Sequence, residues 1–278
     1  MSRWWTRRSV LRATAGIGLG GAAGCARPRD LVPPPEPRVE FAPREFEPSR
    51  LVIDPGETVT WWNTDFNRHT VTAYERRIPT GAEYFASGGF DSETAARGEN
   101  LHEGILEEGD RFEHQFTTPG HYQYCCIPHE DLDPMVGTVV VRTEDGETPS
   151  PPEVVLPDTD HVVGMGAHEY YPESIRIRAG DSVGWVNGTG IAHSVTGEAG
   201  GDVIPEGDDR EFPEDGEYFA SGGFESAEAA LDGWRSGREG DVLPDEPFVH
   251  TFETPGEYPY LCILHQLWMR GTVVVFDP

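Results

Sequence analysis

The stretch of this 278-residue chain that decides its fold is a loop motif that occurs twice, as Tyr122-Gln-Tyr-Cys-Cys-Ile-Pro-His129 and as Tyr258-Pro-Tyr-Leu-Cys-Ile-Leu-His265. The two tyrosines and the last cysteine of each copy alternate along the chain, which is the side-chain period of a β-strand. A histidine lies three residues after that cysteine, and a methionine, Met135 or Met269, follows it. A run rich in valine comes next, so the sequence predicts two strands joined by a loop that carries the three side chains at one end of a sandwich.

A fourth side chain in each half completes a recognisable donor set. His69 lies upstream of the first motif and His193 upstream of the second. A thiolate, two imidazoles and a weak axial thioether are the ligands of a type 1 (blue) copper electron-transfer site. The sequence therefore predicts two such sites.

The motifs resemble those of the cupredoxins, and among them the plastocyanin-like halocyanins of halophilic archaea. The resemblance covers most of the chain after about residue 38 and includes the upstream strings Ile53-Asp-Pro-Gly-Glu-Thr-Val-Thr-Trp-Trp-Asn63 and Ile177-Arg-Ala-Gly-Asp-Ser-Val-Gly-Trp-Val-Asn187. It implies copper ligands in each half, and these are His69, Cys126, His129 and Met135, then His193, Cys262, His265 and Met269. It also implies that electrons leave through the loop histidines, His129 and His265.

The axial methionine is the ligand that the loop length affects most. Five residues separate His129 from Met135, but only three separate His265 from Met269. In the plastocyanin-like proteins that the chain resembles, four residues usually separate the histidine from the methionine. A backbone oxygen can replace the thioether at the axial position of such sites, so the loop length bears directly on the axial contact.

The repeat extends well beyond the loops and predicts two domains. Tyr-Phe-Ala-Ser-Gly-Gly-Phe ends at Phe90 and again at Phe224, and short strand-like runs broken by glycine and proline fill both halves. We expect an all-β chain of two tandem Greek-key sandwiches, cupredoxin-like and antiparallel, with short helices at 92–97 and 226–231. The expected segments are 1–24 for an export signal, 25–37 for a proline-rich tether, 38–143 for the first domain, 144–160 for an acidic linker and 161–278 for the second domain.

The N-terminus is typical of a targeting signal. Arg7-Arg8, a modest apolar stretch and Ala22-Ala-Gly-Cys25 resemble a twin-arginine export signal that ends at a lipoprotein cleavage site. We expect Cys25 to carry the lipid and the domains to face outward at the cell membrane. A retained signal anchor is the alternative.

The charge composition indicates a halophile. All 21 basic residues are arginine, 49 residues are acidic and the net charge is −28. Such self-repulsion destabilises a compact fold at low salt, whereas at about 1 M salt the Debye length is only about 3 Å. Nucleic-acid binding is excluded because nothing here would neutralise phosphates.

Other functional classes share parts of this donor set. Zinc competes for a Cys-His-His set, but the matched methionines favour copper. Multicopper oxidases and copper nitrite reductases also carry two such domains, but they need a histidine beside the ligand cysteine and further histidine pairs; here no His-x-His occurs. Copper storage or delivery stays open. Cys125 is interpreted as a spare thiol on the opposite face of its strand, and His114 and His250 as structural.

The expected function is therefore electron transfer rather than catalysis. Thr70 and Ser194 follow the first histidine of each site, and their hydroxyls are expected to tie it to the cysteine loop. Respiratory complexes, including a terminal oxidase or reductase, are the expected redox partners.

Overall fold

The computed structural model describes residues 33–98, 101–130, 134–198, 212–213 and 215–277. The expected signal, Cys25 and most of the tether lie outside the described residues. We call the part that contains strands β1 to β8 the first domain and the part that contains β9 to β16 the second domain. Both belong to one compact unit, Pro34–Pro278.

The first domain is a sandwich of two four-stranded sheets, ordered β2-β1-β4-β6 and β3-β8-β7-β5. Its strands are β1 (Arg38–Ala42), β2 (Glu45–Glu47), β3 (Arg50–Ile53), β4 (Thr58–Trp62), β5 (Thr72–Ala73), β6 (Arg111–Gln115), β7 (Gly120–Cys125) and β8 (Val136–Val141). Helix α1 (Glu93–Arg97) and three 3₁₀ helices complete it, at Glu75–Arg77, Leu101–Gly104 and Ile127–His129.

The second domain repeats this arrangement with sheets ordered β10-β9-β12-β14 and β11-β16-β15-β13. Its strands are β9 (His161–Met165), β10 (Tyr170–Tyr171), β11 (Ser174–Arg178), β12 (Ser182–Asn187), β13 (Thr196–Gly197), β14 (Phe248–Thr251), β15 (Gly256–Leu261) and β16 (Arg270–Phe276). Helix α2 spans Ala227–Gly237.

The prediction of two tandem β-sandwiches is confirmed, but the sheets are mixed rather than purely antiparallel. Strand β1 pairs parallel with β4, and β3 pairs parallel with β8. The second domain has the same two parallel pairs, β9 with β12 and β11 with β16. The reason is topological. Strands β2 and β3 lie in different sheets, so the chain crosses the sandwich before β4 returns to pair with β1.

Each sandwich has an aromatic core centred on a tryptophan. Trp61 and Trp185 are fully buried, and each stacks on a phenylalanine from the duplicated string, Phe85 or Phe219. Stacked and edge-on aromatic pairs add roughly 0.5–1.5 kcal/mol each beyond the area that they bury. The alternating tyrosines before the ligand cysteines lie in these same cores, as the strand period predicts.

The two predicted helices exist, and the second is longer than expected. Ser92 and Ser226 cap them by accepting a hydrogen bond from the backbone N–H of the third residue on. Helix α2 continues past the predicted end at 231 to Gly237 because Trp234 on its inner face is buried. It ends where Arg238 adopts a left-handed conformation with φ of 58°.

The domains share a third buried cluster, which we call the interdomain cluster. Its buried members are Tyr74 and Cys125 from the first domain, and Ala192, Ala220, Ala227, Ala230, Trp234, Leu261 and Ile263 from the second. Helices α1 and α2 pack against each other beside it. Within the described residues, no helix combines the length and apolar character that crossing a membrane requires.

Candidate metal centres

The first cysteine loop is closed by its own backbone. Cys126 follows the end of β7, and the 3₁₀ turn after it places the His129 N–H 2.9 Å from the Cys126 carbonyl. The Met135 N–H donates to the His129 carbonyl at 2.8 Å, and the Cys126 N–H donates to the Met135 carbonyl at 2.9 Å. These three hydrogen bonds hold the cysteine, histidine and methionine in one compact loop.

The donor atoms of the first centre converge on one point. Cys126 Sγ lies 3.6 Å from His69 Nδ1 and 3.3 Å from His129 Nδ1. The three donor atoms all lie within 4.8 Å of one another. Met135 is fully buried in the same core cluster as Cys126.

The second centre has the same construction. Cys262 Sγ lies 3.7 Å from His193 Nδ1 and 3.5 Å from His265 Nδ1. The Met269 N–H donates to the His265 carbonyl at 2.8 Å, and Met269 is buried with Cys262. A thiol and two imidazole nitrogens that converge in a buried pocket fit a soft transition metal, and the buried methionine beside them suits copper better than zinc.

The hydroxyl residue after the first histidine ties the two loops together in both domains. The Ile127 N–H donates to Thr70 Oγ1 at 2.9 Å, and the Ile263 N–H donates to Ser194 Oγ at 2.9 Å. The backbone N–H of Thr70 also donates to Cys126 Sγ at 3.3 Å. This confirms the predicted role of Thr70 and Ser194, and a donor to sulfur stabilises the thiolate that a metal requires.

Burial sets the protonation of these groups in the metal-free protein. It raises the pKa of Cys126 to about 11 and also raises the pKa of Cys262. It lowers the pKa of His193 to about 2 and that of His265 to about 4. The imidazoles are therefore neutral at pH 7, as metal ligands must be, and binding a cation displaces the thiol proton.

A carboxylate that sequence reasoning missed supports the first centre. Asp65 is buried, and its Oδ2 lies 3.2 Å from His69 Nε2, the ring nitrogen that faces away from the cysteine. A carboxylate behind a metal-binding histidine fixes the ring orientation and raises the basicity of the donor nitrogen. The only signal in the sequence is an aspartate four residues before the histidine.

A different carboxylate supports the second centre. Asp241 Oδ1 accepts a hydrogen bond from the His193 backbone N–H at 3.1 Å. Asp241 is also paired with Arg77 of the first domain, at 2.8 Å between Arg77 Nε and Oδ2. No sequence signal could have found this contact, because the partners lie far apart in the chain.

The two loop histidines differ in exposure. His129 is partly exposed, whereas His265 is only 2% exposed. The exposed His168 packs edge-on against the His265 ring, with 5.1 Å between ring centroids. The ring of His265 is thus covered, and the electron exit through the loop histidines stays a prediction for both.

The remaining sequence interpretations concern side chains outside the donor sets. Cys125 is a free, fully buried thiol of the interdomain cluster, on the face of β7 opposite Cys126. His114 and His250 stack on Phe85 and Phe219, which confirms their structural interpretation.

The duplicated Tyr-Phe-Ala-Ser-Gly-Gly-Phe string also has a structural role. The hydroxyls of Ser87 and Ser221 donate to the carbonyls of Gly104 and Gly240. Two residues after each glycine, the N–H of Leu106 or Val242 donates to the carbonyl of His69 or His193 at 2.8 Å. Gly88 and Gly222 take positive φ, and a Cβ at either would lie 2.9 Å from the facing glycine Cα. The string thereby fixes the loop behind each centre.

The comparisons with known proteins agree with the geometry. The family model of copper binding proteins of the plastocyanin/azurin family matches residues 39–142 and 158–276. Plastocyanin of Scenedesmus fuscus is 35% identical over 98 residues, which cover 35% of this chain and 86% of that protein. Chloroplastic plastocyanin of Physcomitrium patens is 33% identical over 111 residues, and the match covers 40% of this chain and about half, 52%, of that protein.

Solved structures give matches of the same kind. Amicyanin from Paracoccus versutus is 25% identical with a TM-score of 0.29, and the match covers 44% of this chain and 85% of that one. A purple cupredoxin from Nitrosopumilus maritimus is 28% identical with a TM-score of 0.25, and the match covers 37% of this chain and 97% of that one.

Proposed function

Because the chain belongs to the plastocyanin/azurin family of copper-binding proteins, we propose that it is a blue copper electron carrier with one type 1 site in each domain. The observation that carries the proposal is the duplicated donor set, in which a cysteine sulfur and two histidine nitrogens lie within 4.8 Å of one another in both halves. Met135 and Met269 are the axial ligands in this proposal.

The protein's own residues make such a site suitable for electron transfer. A bound copper ion would supply a one-electron couple, taking one electron from a reduced partner and passing one to an oxidised partner. Hydrogen bonds between loops hold the donors in place, so the geometry changes little between oxidation states. Burial of the cysteine and methionine keeps water away from the metal.

Electron transfer is favoured over catalysis by what flanks the cysteines. The neighbours are Cys125 and Ile127 in the first domain, and Leu261 and Ile263 in the second. None of these can ligate a second copper type, apart from the thiol of Cys125, which points into the interdomain cluster. The relatives named above are plastocyanins, and carrying their role over to this chain is part of the proposal.

The proposed location is the outer face of the cell membrane of a halophilic archaeon. Export through the twin-arginine pathway and a lipid on Cys25 would anchor the chain there, with the domains exposed to concentrated salt. The basis is the Arg7-Arg8 pair, the Ala-Gly-Cys25 sequence and a net charge of −28 without any lysine. Halocyanin-like exchange with respiratory complexes, including a terminal oxidase or reductase, is the role that suits this location.

Metal analysis in high salt tests the copper assignment. We expect two copper ions per chain, an intense thiolate-to-copper absorption band and the paramagnetic resonance signal of a type 1 site. Bound zinc, or copper without the band, would contradict the proposal. Tight copper binding with no reversible oxidation and reduction would favour storage or delivery instead.

Cell fractionation tests the location. The native protein is expected in the membrane fraction, and Cys25→Ser is expected to stay unprocessed or to be released. A wild-type protein found mainly in the soluble cytoplasmic fraction would contradict the proposed anchor.

A further inference from the structure

An arginine of the first domain reaches into the second domain and is buried there. Arg77 ends a 3₁₀ helix of the first domain, and its guanidinium donates to both oxygens of Asp241, from Nε at 2.8 Å and from Nη2 at 2.9 Å. The side chains of the pair are 4% and 3% exposed. A bidentate arginine-carboxylate pair of this kind fixes orientation as well as charge.

The Arg77–Asp241 pair binds the chain segment that carries His193, one of the proposed copper ligands. Asp241 Oδ1, the oxygen that accepts from Arg77 Nη2, also accepts the backbone N–H of His193 at 3.1 Å. Arg77 Nη2 donates in addition to the Ile191 carbonyl at 3.2 Å. The segment 191–193 is thus held at both ends by one charged pair whose arginine belongs to the other domain.

The first centre has no counterpart of this device among the described residues. There the His69 N–H donates to the backbone carbonyl of Leu106 at 3.2 Å, and Ile105 stands at the position that matches Asp241. At the segment of the upstream histidine, the contact therefore runs only from the first domain to the second centre. The buried interdomain pair near the first centre, between Arg238 and Glu130, lies beside the loop histidine His129 instead.

The need to hold the two domains together does not by itself account for the burial of the Arg77–Asp241 pair. Arg76 and Glu246 already form an interdomain ion pair on the exposed surface. Arg76 also donates to the backbone carbonyl of Asp241 at 2.8 Å, so the domains are joined here without the buried pair between Arg77 and the Asp241 carboxylate. Burying the Arg77 pair carries a desolvation cost that an exposed pair avoids. We propose that Arg77 is a positioning residue for the second copper centre, acting through Asp241 across the domain boundary. The proposal deepens the assigned function and rests on it.

The charges predict opposite effects for the two partners. In Arg77→Gln the Asp241 carboxylate stays near the metal without its cation, which stabilises the more positive oxidised ion and lowers the second centre's reduction potential. In Asp241→Asn the arginine cation stays alone, so that potential rises. Asparagine keeps an acceptor for the His193 N–H and is nearly isosteric, so this variant is expected to fold.

Each centre can be observed alone in the full chain. In a Cys126→Ser background only the second centre gives the thiolate band, and in a Cys262→Ser background only the first does. We expect Arg77→Gln and Asp241→Asn to shift the potential and the paramagnetic resonance parameters in the first background and to leave both unchanged in the second. Glu246→Gln is the matched control, since it removes an interdomain ion pair and is expected to change neither centre.

A readout without metal separates this inference from the function on which it rests. In the metal-free protein, hydrogen exchange at the His193 amide is expected to accelerate at least tenfold in Arg77→Gln and to stay unchanged in Glu246→Gln. Absence of a blue band in the parent protein would overturn the proposed function alone. Unchanged exchange at His193, an unchanged second-centre potential, or equal shifts at both centres would overturn the role of Arg77.

Discussion

The two metal centres have the same donors in the same positions, yet different surroundings. In the first, the Asp65 carboxylate lies behind His69 and the ring of His129 is partly exposed. In the second, both rings are buried and neither Nε2 atom has a hydrogen-bond partner among the described residues. Instead, the Asp241 carboxylate accepts a hydrogen bond from the His193 backbone N–H. The comparison teaches that donor sets and their surroundings can vary independently within one duplicated fold.

Removing a ligand cysteine gives the largest effect and tests whether both centres are occupied. Cys126→Ser and Cys262→Ser are each expected to remove about half of the thiolate band, because the thiolate is its source. Absorption and copper content in high salt measure the change. Cys125→Ser is the control and should keep the full band. If a single ligand substitution abolished all colour, only one domain would carry a type 1 site.

The buried acid beside the first centre tests how the surroundings affect stability. Glu130 follows His129 and is bound by Arg97, Arg238 and the Tyr74 hydroxyl. Because breaking a buried ion pair typically costs about 3–5 kcal/mol, Glu130→Gln is expected to lower the free energy of unfolding by that order. The second domain has Gln266 at the matching position. Denaturant unfolding in high salt measures the loss, and Glu107→Gln, in an exposed ion pair, is the control with at most about 1 kcal/mol.

The same variant has an expected pH signature. The arginines Arg238 and Arg97 hold the pKa of Glu130 below its usual range in the fold, although burial opposes them. The unfolded chain therefore binds a proton at higher pH than the folded chain, and the stability from this group is lost as pH falls below the ordinary glutamate pKa. Glu130→Gln lacks this contribution, so its stability should fall less between pH 6 and pH 3 than that of the wild type. Parallel pH profiles would contradict the assignment.

The carboxylate behind His69 tests the difference in ligand support. Asp65→Ala is expected to weaken copper binding at the first centre by about 10- to 100-fold, because it releases the ring that the carboxylate orients. Thr189→Ala changes the matching position of the second domain, where the hydroxyl bonds Asn187 and Ile191 but not the ring of His193, and it should have a smaller effect there. Chelator competition, with the other centre removed by its cysteine variant, gives both affinities. An unchanged affinity in Asp65→Ala would show that the loop alone orients His69.

The smallest expected effect is a difference in reduction potential between the wild-type centres. The loop before Met135 is two residues longer than the loop before Met269, and axial contact and solvent access both tune such potentials. Voltammetry in high salt is expected to resolve two waves, and Met135→Gln and Met269→Gln should each move one of them. An unequal pair would let one domain accept electrons and the other deliver them. Coincident waves would leave simple duplication as the better explanation.

Much of each centre follows from local sequence because its parts lie close together in the chain. The strand period before Cys126 and the turn to His129 are local features, and each has the predicted place. Thr70 lies 57 residues from Ile127, and its predicted place depended on the repeat and on the family resemblance. The parallel strand pairs and the extra length of α2 depend on tertiary packing instead. Trp234 extends that helix because it has a partner surface in the interdomain cluster, which no local pattern records.

The charged support of the centres could not be predicted for a related reason. An acidic side chain becomes a partner of a histidine only when the fold brings it there, and this chain has 49 acidic residues to choose from. Cys125 has the predicted place, on the face of its strand opposite Cys126. Its counterpart is the apolar Leu261, and both side chains are buried, but the sequence did not indicate that the surface covering them belongs to the other domain.

The interdomain cluster places equivalent positions of the two domains on opposite sides of one contact. Cys125 and Ile127 face it from the first domain, Leu261 and Ile263 from the second, and helix α1 meets its own counterpart α2. This is the geometry of an isologous dimer, in which one surface patch meets a copy of itself. In a symmetric dimer every substitution at such a patch is made twice, so a one-way contact cannot arise. Joining the copies in one chain removes that constraint, which allows Arg77 to serve one centre without a mirror image at the other among the described residues.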